Sequence, residues 1–356
     1  MSVSFGVKEP SADVTHRLRV VEPAIEIDTS INQMFMQHLK KWHKDEEIAL
    51  TTSNILRKEI AYCKLDGKTD RKTFFIYKSP LVVSHDRAVF LACKLGKTAL
   101  KPYIYSKQAG VVDPQKASDQ LALHRKAAAF GVAAKIFPVI KDPTHQLLPY
   151  FTEQDLIHYF ISNTVTYEDL LIIVQQLVSL IKNLHDETGI AHLDIKPDNF
   201  VVKKSGATGF EIKLIDFCFS TQQDATNLAV GTPGYLAPEI LMKKLNSEFL
   251  GDIPFNPKLA DLYSLGSSIY TLYTKRLYQD DFKRFSEKKE LFKTFQKYCL
   301  KATDPSTFYH GYQRIQDKIF DKRLKGDDPI ITVIKGLMLA NPHERMQLRE
   351  AQENLR

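Results

Sequence analysis

A chain of 356 residues, 44% hydrophobic and 26% charged, has the make-up of a protein able to bury a substantial core. It holds no run of about 18 apolar residues, and Met1 to Thr15 has no apolar core of signal-peptide type, which argues against a membrane span and a secretory leader. The formal charge of +7 is modest for this length, no basic stripe is interleaved with aromatics, and Cys63, Cys93, Cys218 and Cys299 fit no metal-ligand spacing. Nucleic-acid binding and a disulfide framework are therefore not expected; four reduced thiols in a cytoplasmic protein are.

Residues 1–74 read as an N-terminal extension, helical where Met34 to Trp42 is amphipathic behind a cap at Asp28-Thr29-Ser30. It is expected to pack on the next lobe, or else to act as a docking module. Residues 75–151 form a strand-rich unit. Phe74 to Tyr77, Leu81 to Val83, Ala88 to Ala92 and Ala99 to Tyr105 are short β-rich runs, followed by a helix over Pro114 to Ala129 and apolar runs at Ile136 to Ile140 and Leu147-Leu148. Residues 152–356 are predominantly helical. Leu170, Leu171, Val174, Leu177, Leu180, Ile181 and Leu184 recur at helical spacing, and a longer, basic stretch over 278–328 reads as a solvated insertion. A small sheet-rich half before a larger helical half predicts an α+β fold of two lobes with its site at their junction.

The richest motif follows that long helix: Ile190-Ala191-His192-Leu193-Asp194-Ile195-Lys196-Pro197-Asp198-Asn199. Seventeen residues beyond Asn199 lies Asp216, in Leu214-Ile215-Asp216-Phe217-Cys218, and then comes Gly231-Thr232-Pro233-Gly234-Tyr235-Leu236-Ala237-Pro238-Glu239. In this order the three segments resemble the catalytic loop, the D-F-G triplet and the end of the activation segment of protein kinases of the Ser/Thr type. Asp261 to Gly266 is similar to the start of that family's central helix, and Asn341 to Arg345 to the segment whose arginine pairs with Glu239. The resemblance covers about residues 75 to 350 and implies transfer of the ATP γ-phosphoryl group to protein hydroxyls with Mg2+. Asp194 is then the base, Lys196 contacts the moving phosphoryl group, and Thr232 bridges the two. Asn199 and Asp216 are the metal ligands, offering hard oxygens suited to Mg2+. Asp261, Glu239 and Arg345 are expected to be structural.

The small lobe matches less well. Ala99-Leu100-Lys101 resembles the A-x-K strand, making Lys101 the α- and β-phosphate contact, with Lys107 as the alternative. Asp119 is the acid within the following helix that could orient that lysine. By register Leu148 is the gatekeeper, the backbone near Pro149 and Phe151 meets adenine, and Asp155 meets the ribose hydroxyls. The family's G-x-G-x-x-G is missing: Pro80 to Ala88 holds no glycine, so side chains stand where backbone amides would cradle phosphates. Leu193 replaces the arginine that reads an activation-loop phosphate, and Leu228 stands where the phosphosite falls, so control by that phosphate is not expected.

These features imply an active Ser/Thr kinase, assisted by an activating partner or an anionic ligand. The alternative is a pseudokinase scaffold that binds nucleotide or a partner without efficient catalysis. The divergent small lobe and the extension are similar in general appearance to effector kinases that intracellular bacterial pathogens deliver into host cytoplasm.

Overall fold

In the computed structural model the described residues are 55–83, 87–95, 100–108, 113–140, 142–150, 155–206, 209–245 and 250–356. The helix expected over Met34 to Trp42 and the hinge residue Phe151 lie outside them. The extension expected to be helical through residue 74 ends in strands: β1, Ile55–Cys63, and β2, Thr69–Tyr77, form an antiparallel hairpin. The physical reason is period two. Ile60 and Tyr62 of β1 bury a shared face with Phe74 and Ile76 of β2, while Phe75 and Tyr77 between and beyond them are buried on the opposite face.

The chain continues through β3 (Val82–Val83), β4 (Arg87–Leu95) and β5 (Leu100–Gln108). A helix, α1 (Pro114–Ala129), leads to β6 (Phe137–Val139) and β7 (Asp142–Pro149). The strand order β2-β1-β6-β7-β5-β4-β3, with a further pairing of β2 to β4, closes six strands into a barrel. Closure pairs edges that would otherwise be open. Tyr62 meets Val139 on one side, and Phe75 meets Cys93 on the other. The lumen is aromatic: Phe74 lies edge-on to Tyr62 and Tyr103, with ring centroids 5.9 and 5.5 Å apart, beside Tyr105 and Leu147.

Directly paired residues of antiparallel strands point to the same face, so the register sorts β4 and β5. Phe90 with Tyr105, Ala92 with Tyr103 and Lys94 with Lys101 point to the lumen side. Arg87 with Gln108, Val89 with Ser106, and Leu91 with Ile104 point to the other side, toward α1. α1 is capped by Asp113, which accepts from Gln115 N, and buries Ala117, Leu121, His124 and Ala128 along one face.

The second lobe is built on α2 (Leu156–Ser162), α3 (Tyr167–Thr188) and a hairpin of β8 (Phe200–Ser205) and β9 (Gly209–Leu214). Beyond it lie α4 (Pro238–Leu245) and α5 (Pro257–Thr274). α5 is buried along nearly its whole length, and at Gly266 a Cβ would stand 2.6 Å from Met338 Cγ, so the close crossing there requires glycine. The stretch 278–328, expected to be solvated, instead packs into the core. It forms α6 (Tyr278–Ser286), α7 (Lys289–Thr294) and α8 (Pro305–Arg323); Tyr278, Phe282, Phe308 and Tyr312 join the same hydrophobic cluster as α3 and α5, and the buried Asp281 of α6 pairs with Arg323 of α8. Aromatic residues three and four apart give α6 and α8 that inward face. α9 (Pro329–Leu337) and α10 (Leu348–Asn354) complete the lobe. None of the four cysteines forms a disulfide. Among the described residues no helix is long and apolar enough to cross a membrane.

Candidate active site

The loop between α3 and β8 is fixed from below by Asp261 of α5. Its fully buried carboxylate accepts from His192 N and Leu193 N, each at 2.7 Å, and from His185 Nε2 at 2.9 Å. Leu193 takes φ 63°, a conformation that is uncommon for a side chain of its size and that the two bonds help hold. Buried Leu193 joins the hydrophobic core, so the position is satisfied by packing rather than by charge.

That anchorage presents Asp194, Lys196 and Asn199 together. Asp194 Oδ1 accepts from Thr232 N at 2.8 Å and Thr232 Oγ1 at 2.7 Å. Asp194 Oδ2 accepts from Asn199 Nδ2 at 3.0 Å and pairs with Lys196 Nζ at 3.0 Å. Lys196 Nζ also donates to Thr232 Oγ1 at 2.7 Å, which closes a triangle of the three side chains. Gly231, with φ 108°, lets the chain approach: a Cβ there would lie 2.8 Å from Leu193 O. The segment beyond is tied to α5, where Ser264 Oγ donates to Tyr235 O at 2.8 Å and Ser267 Oγ to Gly234 O at 3.0 Å. At the far end Arg345 makes a bidentate, buried pair with Glu239 at 2.8 and 2.6 Å, the structural role expected of both.

Asp216 is joined to the same loop by backbone. Ile215 N donates to Asn199 O at 2.9 Å, and His192 Nε2 lies 3.0 Å from Ile215 O. Asp216 has φ 65°, and Phe217 beside it is buried between His192 and His124, with centroids 4.9 and 4.6 Å away. Arg87 NH2 of β4 lies 3.4 Å from Asp216 Oδ1 and donates to Cys218 Sγ at 2.8 Å. Burial pushes the Asp216 carboxyl up, but Arg87, the Cys218 thiol, His192 and Lys196 outweigh it and hold it below its usual range. Ionised Asp216 and the amide oxygen that Asn199 keeps while its Nδ2 bonds Asp194 suit a hard cation. Among the described residues no three His, Cys, Asp or Glu side chains gather at one point.

Other predicted residues are not brought to this cluster. Lys101 pairs with Lys94 on the lumen side, where Lys94 Nζ reaches Tyr62 OH at 3.4 Å and lies over the Tyr103 ring. Lys107 shares that parity, opposite His145 of β7. The cation on the α1 side is Arg87, which also donates to Ser106 Oγ at 3.4 Å and Gln146 Oε1 at 3.5 Å. Asp119 is exposed and accepts from Gln115 Nε2 at 2.8 Å, one turn along its own helix. Its neighbour Gln120 faces the site and donates through Nε2 to Cys218 O. A polar signal was available for Arg87: it continues the alternation of Val89, Leu91 and Cys93, all on the side away from the lumen.

Leu148 pairs with Ile104 and shares its face, on the strand leading to the junction of the lobes. Asp155 caps α2, accepting from His158 N at 2.9 Å and pairing with His158 Nδ1 at 2.7 Å. Burial raises its carboxyl above the usual range despite those contacts.

A barrel-capped small lobe, a helical large lobe and paired acidic loops at their junction define the architecture of a phosphotransferase of the kinase class. Residues 104–355 match the family "Protein kinase domain", and the chain belongs to that family. Similar proteins include the serine/threonine-protein kinase PRR2 of Saccharomyces cerevisiae, 31% identical over 144 residues, or 38% of this chain and 18% of the relative. A putative serine/threonine-protein kinase of Acanthamoeba polyphaga mimivirus is 33% identical over 175 residues, 47% of this chain and 54% of the relative. The serine/threonine-protein kinase dkf-1 of Caenorhabditis elegans is 32% identical over 139 residues, 38% and 17% respectively. The chain thus spans about half of the viral relative and under a fifth of the other two. The family match starts inside β5, so β1 to β4 lie outside it.

Proposed function

We propose that this chain transfers the γ-phosphoryl group of ATP to serine or threonine hydroxyls of protein substrates. The observation that carries the reading is the closed Asp194–Lys196–Thr232 triangle, joined through Asn199 to the backbone beside Asp216. Phosphoryl transfer asks a protein chiefly for positioning and charge neutralisation. Asp194 accepts the hydrogen bond of the incoming hydroxyl and takes its proton. Lys196 stands next to that carboxylate, within reach of the moving phosphoryl group, and Thr232 holds both in register. ATP would supply the phosphoryl group, and Mg2+ held by Asp216 and Asn199 would offset charge on its phosphates. Leu148 and the backbone near Phe151 take the adenine, and Asp155 takes the ribose hydroxyls. A protein acceptor is favoured because the segment Gly231 to Tyr235 is pinned to α5 as a platform beside the triangle. The relatives described as serine/threonine kinases support the same acceptor class. The chain acts in the cytoplasm, of a host cell if it is a delivered effector.

Radiolabelled ATP with a generic protein substrate tests this reading. Label should pass to serine or threonine with the parent chain and not with D194N. A parent that transfers nothing, alone or with cell extract, overturns it. The second reading, a scaffold without efficient catalysis, draws on the glycine-free stretch Pro80 to Ala88 and on the distance of Lys101 from the cluster. Its signature is Mg2+-dependent nucleotide binding with no label transferred.

A further inference from the structure

The strand where the family carries its phosphate-binding lysine has both of its lysines, Lys101 and Lys107, on the lumen side, and another cation stands in the cleft. We propose that Arg87, on β4, is the residue that binds the ATP α- and β-phosphates, in the role the sequence assigned to Lys101; this rests on the kinase reading above. Three observations carry it. Lys101 and Lys107 both have the parity of the barrel lumen and lie beside Lys94 and His145. Arg87 has the opposite parity and points at Asp216, with NH2 3.4 Å from Oδ1. Its guanidinium is steered by Ser106 Oγ, Gln146 Oε1 and Cys218 Sγ, contributed by β5, β7 and the Asp216 loop.

The chemistry fits phosphate. A guanidinium is always charged and presents its donors as a planar fork that matches two phosphate oxygens at once. Without nucleotide, Asp216 is the anion that faces it. When phosphates enter, they offer a larger negative charge at the same place, and Asp216 is released to the cation it would ligate. Gln120 takes no charge of its own; it holds Cys218 O, and so fixes the loop that Arg87 touches. An arginine reaching from the neighbouring strand also relieves the lack of amide donors in Pro80 to Ala88.

Nucleotide binding by calorimetry, with and without Mg2+, tests the assignment on the full chain. R87M should weaken ATP and ADP by about tenfold to a hundredfold, the scale of one or two charge-assisted contacts, and leave adenosine unchanged. Unchanged adenosine also shows that the cleft remains folded. R87K should keep part of the affinity, and S106K on the R87M background should restore part of it, because position 106 faces the same side of the sheet. K101M should bind ATP like the parent. Parental ATP affinity in R87M, or tighter Mg2+-ATP binding from removal of a plug on Asp216, overturns the assignment and leaves the kinase reading standing. A parent that binds no Mg2+-ATP overturns both.

Discussion

Both oxygens of Asp194 are engaged, by Thr232 on one side and by Asn199 and Lys196 on the other, so the carboxylate is held in one orientation before any substrate arrives. An isosteric amide keeps most of that geometry and removes the proton acceptor. D194N should therefore lower transfer by about a hundredfold to ten-thousandfold, the range of general-base contributions, with ATP affinity nearly unchanged. Single-turnover rates beside calorimetry check this, and a rate within about tenfold of the parent would remove Asp194 as the base. Asp216 answers to a different test. Its carboxyl is held low, so it stays ionised through neutral pH and into mild acid, and a cation bound there should persist over that range. D216A should lose the Mg2+ dependence of ATP binding altogether, while N199A, which removes only a neutral ligand, should weaken it less. Equal Mg2+ dependence in D216A and the parent would move the metal elsewhere. That Asp194, Lys196, Asn199 and Thr232 come together beside the segment holding Asp216 was legible from sequence because short loops fix their spacing. Lys101 and Asp119 could not be judged that way. A strand residue changes face with each step of register, and a helix residue with each 100° turn, and neither is visible without the pairing partner.

At the scale of elements, the barrel and α1 decide how the site is supported. The hairpin of β1 and β2 was obscured in the sequence because Arg57-Lys58-Glu59 and Asp70-Arg71-Lys72 dilute its alternation, and because its partners, β4 and β6, are distant in the chain. The helices were clearer, since apolar residues recur over several turns and caps such as Thr166 and Asn256 mark their starts. α1 contributes His124, 4% exposed, whose Nε2 lies 2.9 Å from Ala134 O and whose ring lies tilted against Phe217. Burial brings His124 down from its ordinary 6.5 to about 4, helped by Arg87 and His192 and opposed by the Ala134 carbonyl and Asp216. The unfolded chain therefore binds a proton here at a pH where the folded chain does not. Stability from this group is fully present above about pH 6.5 and is lost as pH falls toward 4, by about 3 kcal/mol in all. H124Q keeps a donor for Ala134 O without the titration. Its unfolding midpoint, measured against pH, should be flatter than the parent's between those values; parallel curves would show that His124 is not the group responsible.

For the whole molecule, the question is what brings the small lobe into a state that holds ATP. Leu193 is buried in the core, Leu228 is an exposed side chain without a hydroxyl, and Thr226 is buried with its backbone paired to Phe255, so we expect no phosphate switch in the activation segment. Dephosphorylation should leave the rate unchanged. We expect control to fall on the barrel instead. Pro80 to Ala88 lacks glycines to wrap phosphates, and Arg87 is occupied by Asp216, so nucleotide must both displace an ion pair and bind without a backbone cradle. A competent arrangement that is a minor population reduces apparent affinity in proportion, so about 1% occupancy lowers it about a hundredfold. A ligand that favours that arrangement recovers the difference. The excess of basic residues makes a protein partner or an anionic ligand suitable, since either could compete for cations near the barrel. The expected outcome is weak ATP binding by the purified chain, strengthened by cell extract or by an added polyanion, with turnover rising in step. The alternative is that Arg87 and Mg2+ hold the phosphates unaided. Titrating ATP into the isolated chain separates the two, because micromolar binding with full turnover, unmoved by extract or polyanion, leaves nothing for an activator to do.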